Sequence, residues 1–457
     1  MNRLSRSTVT RVLFGMAAVI AIAVGLALYL HIASVQSRVN HNLYTGNQNG
    51  YTAFAIESWE SSFTFTGYRN RMPLYPWIQG LTYSPKLTET QFFVQGKSLN
   101  VAISLVCLAV IAALFFARFS NLYATYSIVI IGFLLFNVKS PFFQSEILYY
   151  TLFALAFMLS IESIRRPKWY KSAGVGVLFA LAHFTKASAI LGLFIYTCSF
   201  VVTFPSILRI RNGVPQQIGL TIMHAIAPIV VFTILLFPYF VESKSRYGHY
   251  LYNVNTTFYF WYDSWDEAIE GTLAAGDRDG WPDLPDDEIP SMSKYLSEHT
   301  LADILRRLGK SLHSYVDTTC TRTGSWQLLG NCIHLGIGSA FALVCVLAGI
   351  RHQRTWRNRR SLQTSLFIAG FLALYHIAAL WYWPIIGGAR AILALVIPIF
   401  WTIGLIAERS SLQLLSVQIA QRKVRLTQLM YVILLIVALY QVYELAAFRA
   451  GNLYGGR

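Results

Sequence analysis

The segment QNGYTAFAIESWESSFTFTGYRNRMPLYP (Gln48–Pro76) is a polar and aromatic stretch that follows the first long apolar run of the chain. Read as a helix, its first half has one face of aromatic and small residues and one acidic face. The first face holds Tyr51, Phe54, Ala55, Ser58 and Trp59, and the second holds Glu57 and Glu60. This spacing predicts a helix that lies on a membrane surface.

The second half of the segment combines two arginines with two prolines. Arg69 and Arg71 stand just before Pro73-Leu74-Tyr75-Pro76. The prolines fix the backbone, and they predict that no regular helix forms there. Carboxylates and guanidiniums held at a bilayer interface suit chemistry on the phosphate head of a lipid. The alternative is a solvated charged face followed by an ordinary turn.

Composition excludes an ordinary soluble domain. Of 457 residues, 55% are hydrophobic and 13% are charged, whereas soluble domains carry about 25% charged residues. The sequence therefore predicts an all-α, polytopic membrane protein whose first partner is the lipid bilayer. The net charge of +16 arises mostly from short basic loops on one side of the membrane, so we expect no nucleic acid partner.

Eleven apolar runs approach the length of about 20 residues that crosses a bilayer as a helix. The first, Val12–Ala33, is too long for a typical signal-peptide core, so we interpret it as an uncleaved span. The short Ser172–Ala182 run could form a tight or re-entrant hairpin with its neighbour. The other runs are Leu99–Phe116, Leu122–Val138, Ile147–Ile164, Ala187–Phe204, Ile218–Phe240, Leu329–Ile350, Leu362–Trp381, Ala391–Ala407 and Leu429–Ala447.

The basic residues predict the orientation of these spans. If the N-terminus is cytoplasmic, every basic cluster in a short loop after the first outer segment falls inside, as the positive-inside rule requires. These clusters are Arg118, Arg165–Lys171, Arg209 with Arg211, Arg351–Arg360, and Arg409 with Arg422–Arg425. The pattern favours a multi-pass protein of the bacterial inner (plasma) membrane, with the endoplasmic reticulum as the alternative.

The spans divide the chain into three parts. Residues 1–240 form an N-terminal transmembrane module with a first outer loop at 35–98, and residues 329–457 form the C-terminal helices. Between them, residues 241–328 form a large extracytoplasmic loop that holds fourteen of the twenty-one acidic residues. A loop of this length is usually functional. Within it, Met292–Ser314 has helical spacing.

Cysteine spacing predicts no metal site, because the five cysteines form no CxxC pair. Cys320 and Cys332 fall at the same end of the large loop. In an oxidising periplasm they could form a disulfide, and the sequence leaves this open because the separation of their Cα atoms decides it.

Polar residues at the outer ends of spans are the best candidates for chemistry, since no GxxxxGK[ST], GxSxG or HExxH motif is present. Glu146 opens the fourth span, Lys186 interrupts an apolar hairpin, and Arg390 opens the tenth span. A functional role competes with helix-dipole stabilisation for Glu146, snorkelling for Lys186 and interfacial anchoring for Arg390. In the large loop, Asp277 and Asp279 could hold a divalent cation, the one cofactor we consider.

In order and sidedness, these features resemble the GT-C superfamily of membrane glycosyltransferases, which includes protein O-mannosyltransferases and the lipid A aminoarabinose transferase. The resemblance covers most of the chain. It is carried by NQNGY (Asn47–Tyr51), RNRMPLYP (Arg69–Pro76), Glu146, Thr185-Lys186, the large loop and Arg390. It implies transfer of a sugar from a polyprenyl-phosphate donor to a glycan, lipid or protein acceptor on the outer side of the membrane.

The resemblance also implies roles for individual residues. The donor phosphate would be bound by Arg69, Arg71, Lys186 and Arg390. Asn47, Gln48 and Tyr51 would position the substrate, and Trp261, Tyr262 and Trp265 would stack on the sugar. The family carries an acid where this chain has Asn47, and an amide cannot act as a general base. The base would therefore be Glu57, Glu60, Glu146 or an acid of the large loop.

Two readings from other classes remain at this stage. A transporter or flippase would also be polytopic, but it should show broken helices or symmetric halves with ionisable residues near the bilayer midplane. A non-catalytic lipid-binding or scaffold protein of the same fold is favoured by the missing acid at Asn47.

Overall fold

The chain is a multi-pass membrane protein. Its computed structural model describes residues 6–64, 68–203, 214–320, 359–386, 390–407, 416–419 and 422–446, and this part is nearly all helical. Within it, seven helices are long and apolar enough to cross a membrane. They are Gly15–Val39, Glu89–Arg118, Asn121–Lys139, Glu146–Arg165, Ile218–Tyr247, Arg360–Trp381 and Thr427–Glu444.

The helices of the N-terminal module are numbered here in chain order. They are α1 (Arg6–Val39), α2 (Gln48–Glu60), α3 (Leu74–Gly80), α4 (Glu89–Arg118), α5 (Asn121–Val129), α6 (Glu146–Arg165), α7 (Trp169–His183), α8 (Ile190–Thr203) and α9 (Val214–Tyr247). Helix α5 continues through a π-helical segment, Ile130–Phe136, to Lys139.

The large loop and the C-terminal part contribute the remaining elements. They are α10 (Val254–Thr257), α11 (Trp265–Ala268), α12 (Met292–Glu298), α13 (Leu301–Cys320), α14 (Arg359–Trp381), α15 (Trp383–Ile386), α16 (Arg390–Leu393), α17 (Val396–Ala407), β1 (Ser416–Ile419), β2 (Arg422–Arg425) and α18 (Leu426–Glu444). Strands β1 and β2 form an antiparallel hairpin with Ser416 opposite Arg425. This hairpin is a small departure from the all-α prediction.

The predicted multi-pass architecture is confirmed, whereas the number of eleven spans stays a prediction. Seven of the predicted runs match the spanning helices, and two others match shorter apolar helices at Ala187–Val202 and Val396–Ala407. The Ser172–Ala182 run lies within α7, a helix of 15 residues. The run at Leu329–Ile350 falls outside the described residues.

The prediction that the proline-rich stretch forms no regular helix is wrong. Pro73 is the N-cap of α3, and Pro76 lies in the first turn of that helix. Proline is tolerated there because the first N–H groups of a helix have no acceptor within the helix. The N–H of Leu74, the first residue of α3, donates instead to the carbonyl of Phe184 at 2.8 Å. This hydrogen bond joins α3 to the end of α7.

The helix predicted at Gln48 is present as α2, but its apolar face is not left to lipid. Phe54, Ala55 and Ser58 on that face are fully buried. The ring of Phe54 stacks on Tyr68, and Gly80 of α3 approaches the Ala55 carbonyl so closely that an added Cβ would lie 2.7 Å from it. Protein therefore covers this face, and only Trp59 at its end is exposed.

Close contacts between small residues and backbone hold the apolar helices together. Gly176 of α7 faces Pro228 of α9, where an added Cβ would lie 2.5 Å from the Pro228 carbonyl oxygen. Such small residues allow membrane helices to pack backbone to backbone. Buried polar groups add hydrogen bonds between helices, for example from the Tyr29 hydroxyl to Ser104 Oγ at 2.8 Å.

Polar contacts gather many helix ends on one side of the molecule. The Asn40 amide after α1 donates to the Pro141 carbonyl at 2.8 Å, and Lys97 Nζ near the start of α4 donates to the Asn40 carbonyl at 2.7 Å. The Val254 N–H of the large loop donates to the Arg69 carbonyl at 2.9 Å. We call this side, which carries residues 241–320, the large-loop side.

Candidate functional site

An ion pair between a buried carboxylate and a half-buried lysine lies where α6 begins on the large-loop side. Glu146 is the first residue of α6 and is 4% exposed, and its Oε1 lies 3.3 Å from Lys186 Nζ. Lys186 follows α7 in an extended conformation, and its ammonium lies 5.5 Å from the centre of the Tyr149 ring. These contacts hold the two charges together where α6 begins and α7 has ended.

The first segment of the chain is tied to the same helix start. The Tyr51 hydroxyl lies 3.0 Å from Ser145 Oγ, the side chain next to Glu146. The Arg71 guanidinium carbon lies 5.1 Å from the centre of the Tyr51 ring and 5.4 Å from that of Tyr68. Tyr51 thus contacts both the Arg71 guanidinium and Ser145, the residue before Glu146. Among the described residues, Arg71 forms no ion pair with a carboxylate.

Asn47 and Gln48, predicted to position substrate, have different surroundings. Gln48 is wholly buried, and its Oε1 accepts from the Phe143 N–H at 2.7 Å while its Nε2 donates to Asn40 Oδ1 at 2.8 Å. Its amide is therefore used to join α2 to the loop before α6. Asn47 is exposed and has φ of 64°, a left-handed conformation that asparagine tolerates, and its carbonyl accepts from Arg71 Nη2.

A second buried ion pair joins the RNR segment to the large loop. Arg69 Nη1 lies 2.7 Å from Asp277 Oδ1, and the carboxylate is wholly buried. Arg69 Nη2 donates to the Tyr259 hydroxyl at 2.7 Å. Burial raises the pKa of Tyr259, and the Arg69 charge opposes part of that rise. Arg69 is thus committed to binding the large loop against the membrane module.

This pairing bears on the divalent cation considered for Asp277 and Asp279. Asp277 is enclosed with an arginine, whereas Asp279 is exposed. The two carboxylates therefore do not share one accessible surface. In the part of the chain that the structure describes, no three or more His, Cys, Asp or Glu side chains are grouped to hold a metal ion.

A third polar cluster lies within the large loop, around Asp263. Its carboxylate contacts Arg307 Nη1 at 2.7 Å, His299 Nε2 at 2.9 Å and the Tyr295 hydroxyl at 2.8 Å. Arg307 also donates to the Trp381 carbonyl at the end of α14 at 3.0 Å. The cluster borders a cleft of about 640 Å³, and it holds α12 and α13 against the end of a spanning helix.

The His299–Asp263 contact predicts a pH dependence of stability. Burial lowers the pKa of His299, but hydrogen bonds to the Tyr295 carbonyl and the Asp263 carboxylate outweigh it, and the pKa is raised above 6.5. The stabilisation is complete below the unfolded value of 6.5 and is lost as pH rises through the folded pKa. We expect His299→Gln to lower the free energy of unfolding more at about pH 5.5 than at about pH 9.

Chemical unfolding of the purified protein, measured at both pH values, tests this expectation. His313→Gln is the matched control, because His313 is exposed on the same helix as Arg307. An equal loss at both pH values for His299→Gln would contradict the charged pairing with Asp263.

The aromatic residues predicted to stack on sugar differ in availability. The Tyr262 hydroxyl accepts from the Thr272 N–H at 2.9 Å, and the Trp261 ring packs near Trp381. Trp265 is 42% exposed, and its ring meets the edge of Tyr259 at 5.3 Å. Of these three residues, only Trp265 is exposed enough to offer a ring face to a sugar. It contacts Tyr259, whose hydroxyl accepts a hydrogen bond from Arg69.

The remaining predicted residues either take no part in these ion pairs or have side chains outside the part of the chain that the structure describes. Glu57 and Glu60 are exposed on α2. The pKa of Glu57 is raised, mainly because burial disfavours its charged form. The Arg246 charge opposes this rise, and the Glu60 charge adds to it. Arg390 is the first residue of α16, but its side chain and that of Cys320 lie outside the described part, as does the whole of Cys332. The predicted disulfide therefore stays a prediction.

Several residues of these clusters were not predicted from the sequence, among them Ser145, Tyr149, Asp263 and Arg307. Ser145 and Tyr149 flank Glu146, so their neighbourhood was a signal that could have found them. No sequence signal pointed to Asp263 and Arg307, because they are 44 positions apart in a loop that contains many other charged residues.

Comparisons with protein-family models, with curated proteins and with solved structures give no match to this chain. The class that the fold defines is thus a multi-pass membrane protein with a large loop on one side.

Proposed function

We propose that this protein is a membrane glycosyltransferase that moves a sugar from a polyprenyl-phosphate donor to an acceptor hydroxyl. The observation that supports the proposal is the ion pair of buried Glu146 with half-buried Lys186, with Tyr51 connecting the preceding Ser145 to Arg71 on the large-loop side. A carboxylate and two cations at the membrane end of a helix suit a lipid phosphate whose tail lies in the bilayer. We propose that this side is the outer face of a bacterial inner membrane.

In the proposed reaction, Glu146 removes the proton of the acceptor hydroxyl as its oxygen attacks the anomeric carbon. The bond from that carbon to the donor phosphate oxygen breaks, and the electron pair leaves with the polyprenyl phosphate. Attack opposite the leaving group inverts the configuration, as in inverting glycosidases. Glu146 suits the role better than Glu57 or Glu60, because its site is shielded from water and held by fixed partners.

The leaving phosphate gains negative charge, so it needs cations placed in advance. Lys186 is 27% exposed beside Glu146, and Arg71 can present a guanidinium to phosphate oxygens. Arg69 acts indirectly in this proposal, because Asp277 neutralises it. Trp265 would stack on the apolar face of the sugar.

Transfer in proteoliposomes tests the proposal. Purified protein is supplied with radiolabelled sugars on synthetic polyprenyl phosphate and with membrane extracts as acceptor. We expect label to move from the donor lipid to an acceptor, and Lys186→Gln to slow the transfer. Intact donor with every sugar, in protein that is folded and correctly inserted, would contradict the proposal.

Gly50 offers a way to move Arg71 without removing it. A Cβ at Gly50 would lie 2.2 Å from the Arg71 guanidinium carbon, so Gly50→Ala must displace that flexible group. We expect transfer to fall by about 10²-fold, because misplacement by about 1 Å can cost that much. Gly50 is the third residue of α2, so stability should change by less than the roughly 1 kcal/mol that alanine gains over glycine in a helix interior.

The control is Gly25→Ala in α1, where an added Cβ meets nothing within 4 Å. It makes the same helix-stabilising exchange away from the site. Transfer that is equally unaffected in both variants would argue against a role for Arg71 in donor binding.

Asn47 favours a second candidate, a non-catalytic lipid-binding protein of the same architecture. Asn47 is exposed beside Arg71, and an amide there cannot accept a proton from a hydroxyl. The same assay decides between the two: activity that appears only in Asn47→Asp would mean a protein that binds the donor without using it.

A further inference from the structure

Helix α13 carries an apolar stripe that no described part of the protein covers. Four aliphatic side chains on it are about half exposed or more: Leu301 at 71%, Leu305 at 60%, Leu312 at 49% and Val316 at 48%. At roughly 100° per residue, these four fall within one narrow sector of the helix. Such a stripe on a loop helix needs an occupant, because exposed patches of this kind mark interaction surfaces.

The residues on the other sides of α13 show how the helix is oriented. Arg307 and Ser311 are buried against the protein. Arg306, Lys310 and His313 are exposed on a third sector. The helix therefore has a protein side, an apolar side and a charged side, the arrangement of a helix that lies at a boundary between oil and water.

Hydrogen bonds fix the level of α13 relative to the membrane. Arg307 donates to the carbonyl of Trp381, the last residue of the spanning helix α14. Trp383 Nε1 donates to Ser314 Oγ at 3.0 Å, and the Tyr315 ring meets Trp383 at 5.5 Å. Tryptophan and tyrosine collect where membrane helices leave the hydrocarbon core. Helix α13 thus lies at the end of a spanning helix, beside the aromatic residues that typically mark the membrane interface.

We infer that α13 is an interfacial helix whose stripe Leu301, Leu305, Leu312 and Val316 inserts into the lipid leaflet on the large-loop side. The helix is anchored at Trp381, the end of α14, and at Trp383 just beyond it, and the charged sector can face head groups and water. The inference does not depend on glycosyl transfer. It gives α13 the role that the sequence had suggested for α2, whose apolar face is covered by protein.

Insertion would also position the cluster around Asp263. Arg307 of α13 donates to the Tyr262 carbonyl at 2.7 Å and pairs with Asp263. A helix held in the leaflet therefore fixes the height of this part of the large loop above the membrane.

Spin labels on single cysteines test the inference in liposomes, with the full chain and its native cysteines replaced. Leu305→Cys and Leu312→Cys report the apolar side, and Arg306→Cys and His313→Cys are the matched controls on the charged side. All four positions are exposed, so the labels should leave the fold intact. Collisions with oxygen, which enriches in lipid, are compared with collisions with a water-soluble nickel complex.

We expect oxygen collisions to dominate at Leu305 and Leu312 and nickel collisions to dominate at Arg306 and His313. Nickel collisions at Leu305 and Leu312 that match those at His313 would place the helix in water and overturn the inference. Labels at Leu305 and Leu312 shielded from both reagents would also overturn it, because protein rather than lipid would then cover the stripe.

Discussion

Glu146→Gln should reduce sugar transfer by about 10²–10⁴-fold, the usual contribution of a positioned general base. Glutamine keeps the size of the side chain and can still hydrogen-bond, but it cannot take the proton of the acceptor hydroxyl. Lys186, 3.3 Å away, is unchanged in this variant, so binding of the proposed donor phosphate should change little. The loss should fall on the turnover rate measured in proteoliposomes.

Glu57→Gln and Glu60→Gln are the matched controls for this experiment. Both remove a carboxylate from α2, and both side chains are exposed. We expect each to retain most of the transfer. If Glu57→Gln abolished transfer and Glu146→Gln did not, the base would be Glu57 and the Glu146–Lys186 pair would be structural.

Arg69→Met should destabilise the fold by about 3–5 kcal/mol, the cost of leaving one partner of a buried pair alone. Asp277 is wholly buried, and Arg69 Nη1 contacts it at 2.7 Å. Without the arginine, a charged carboxylate has no counter-ion in a medium that solvates it poorly. Chemical unfolding in detergent, followed by tryptophan fluorescence, measures the loss.

Two further variants separate pairing from packing. The double variant Arg69→Met/Asp277→Leu should recover much of the stability, since apolar replacement of both partners is often neutral or stabilising. Asp279→Ala removes the exposed neighbouring carboxylate and should change little. A double variant no more stable than Arg69→Met alone would show that the hydrogen bonds of Arg69, and not its charge, stabilise the contact.

Sequence reasoning succeeded where membrane physics acts locally. A spanning helix must hydrogen-bond its own backbone groups and surround them with apolar side chains. The length of the apolar runs was therefore enough to locate the helices at Glu89–Arg118 and Glu146–Arg165. The same logic placed Glu146 and Lys186 at helix ends. The sequence prediction failed at Pro73 and Pro76, because the first turn of a helix tolerates proline. The local pattern does not show where such a first turn begins.

What the sequence by itself determined is the class of protein and the approximate positions of its apolar helices, since both follow from the composition of consecutive residues. Only the tertiary structure decided what covers each apolar face and which charges meet. Protein covers Phe54 of α2, whereas the stripe of α13 has no cover in the described residues. Arg69 and Asp277 are 208 positions apart, and no local pattern links them, because their attraction acts through space once the helices have packed.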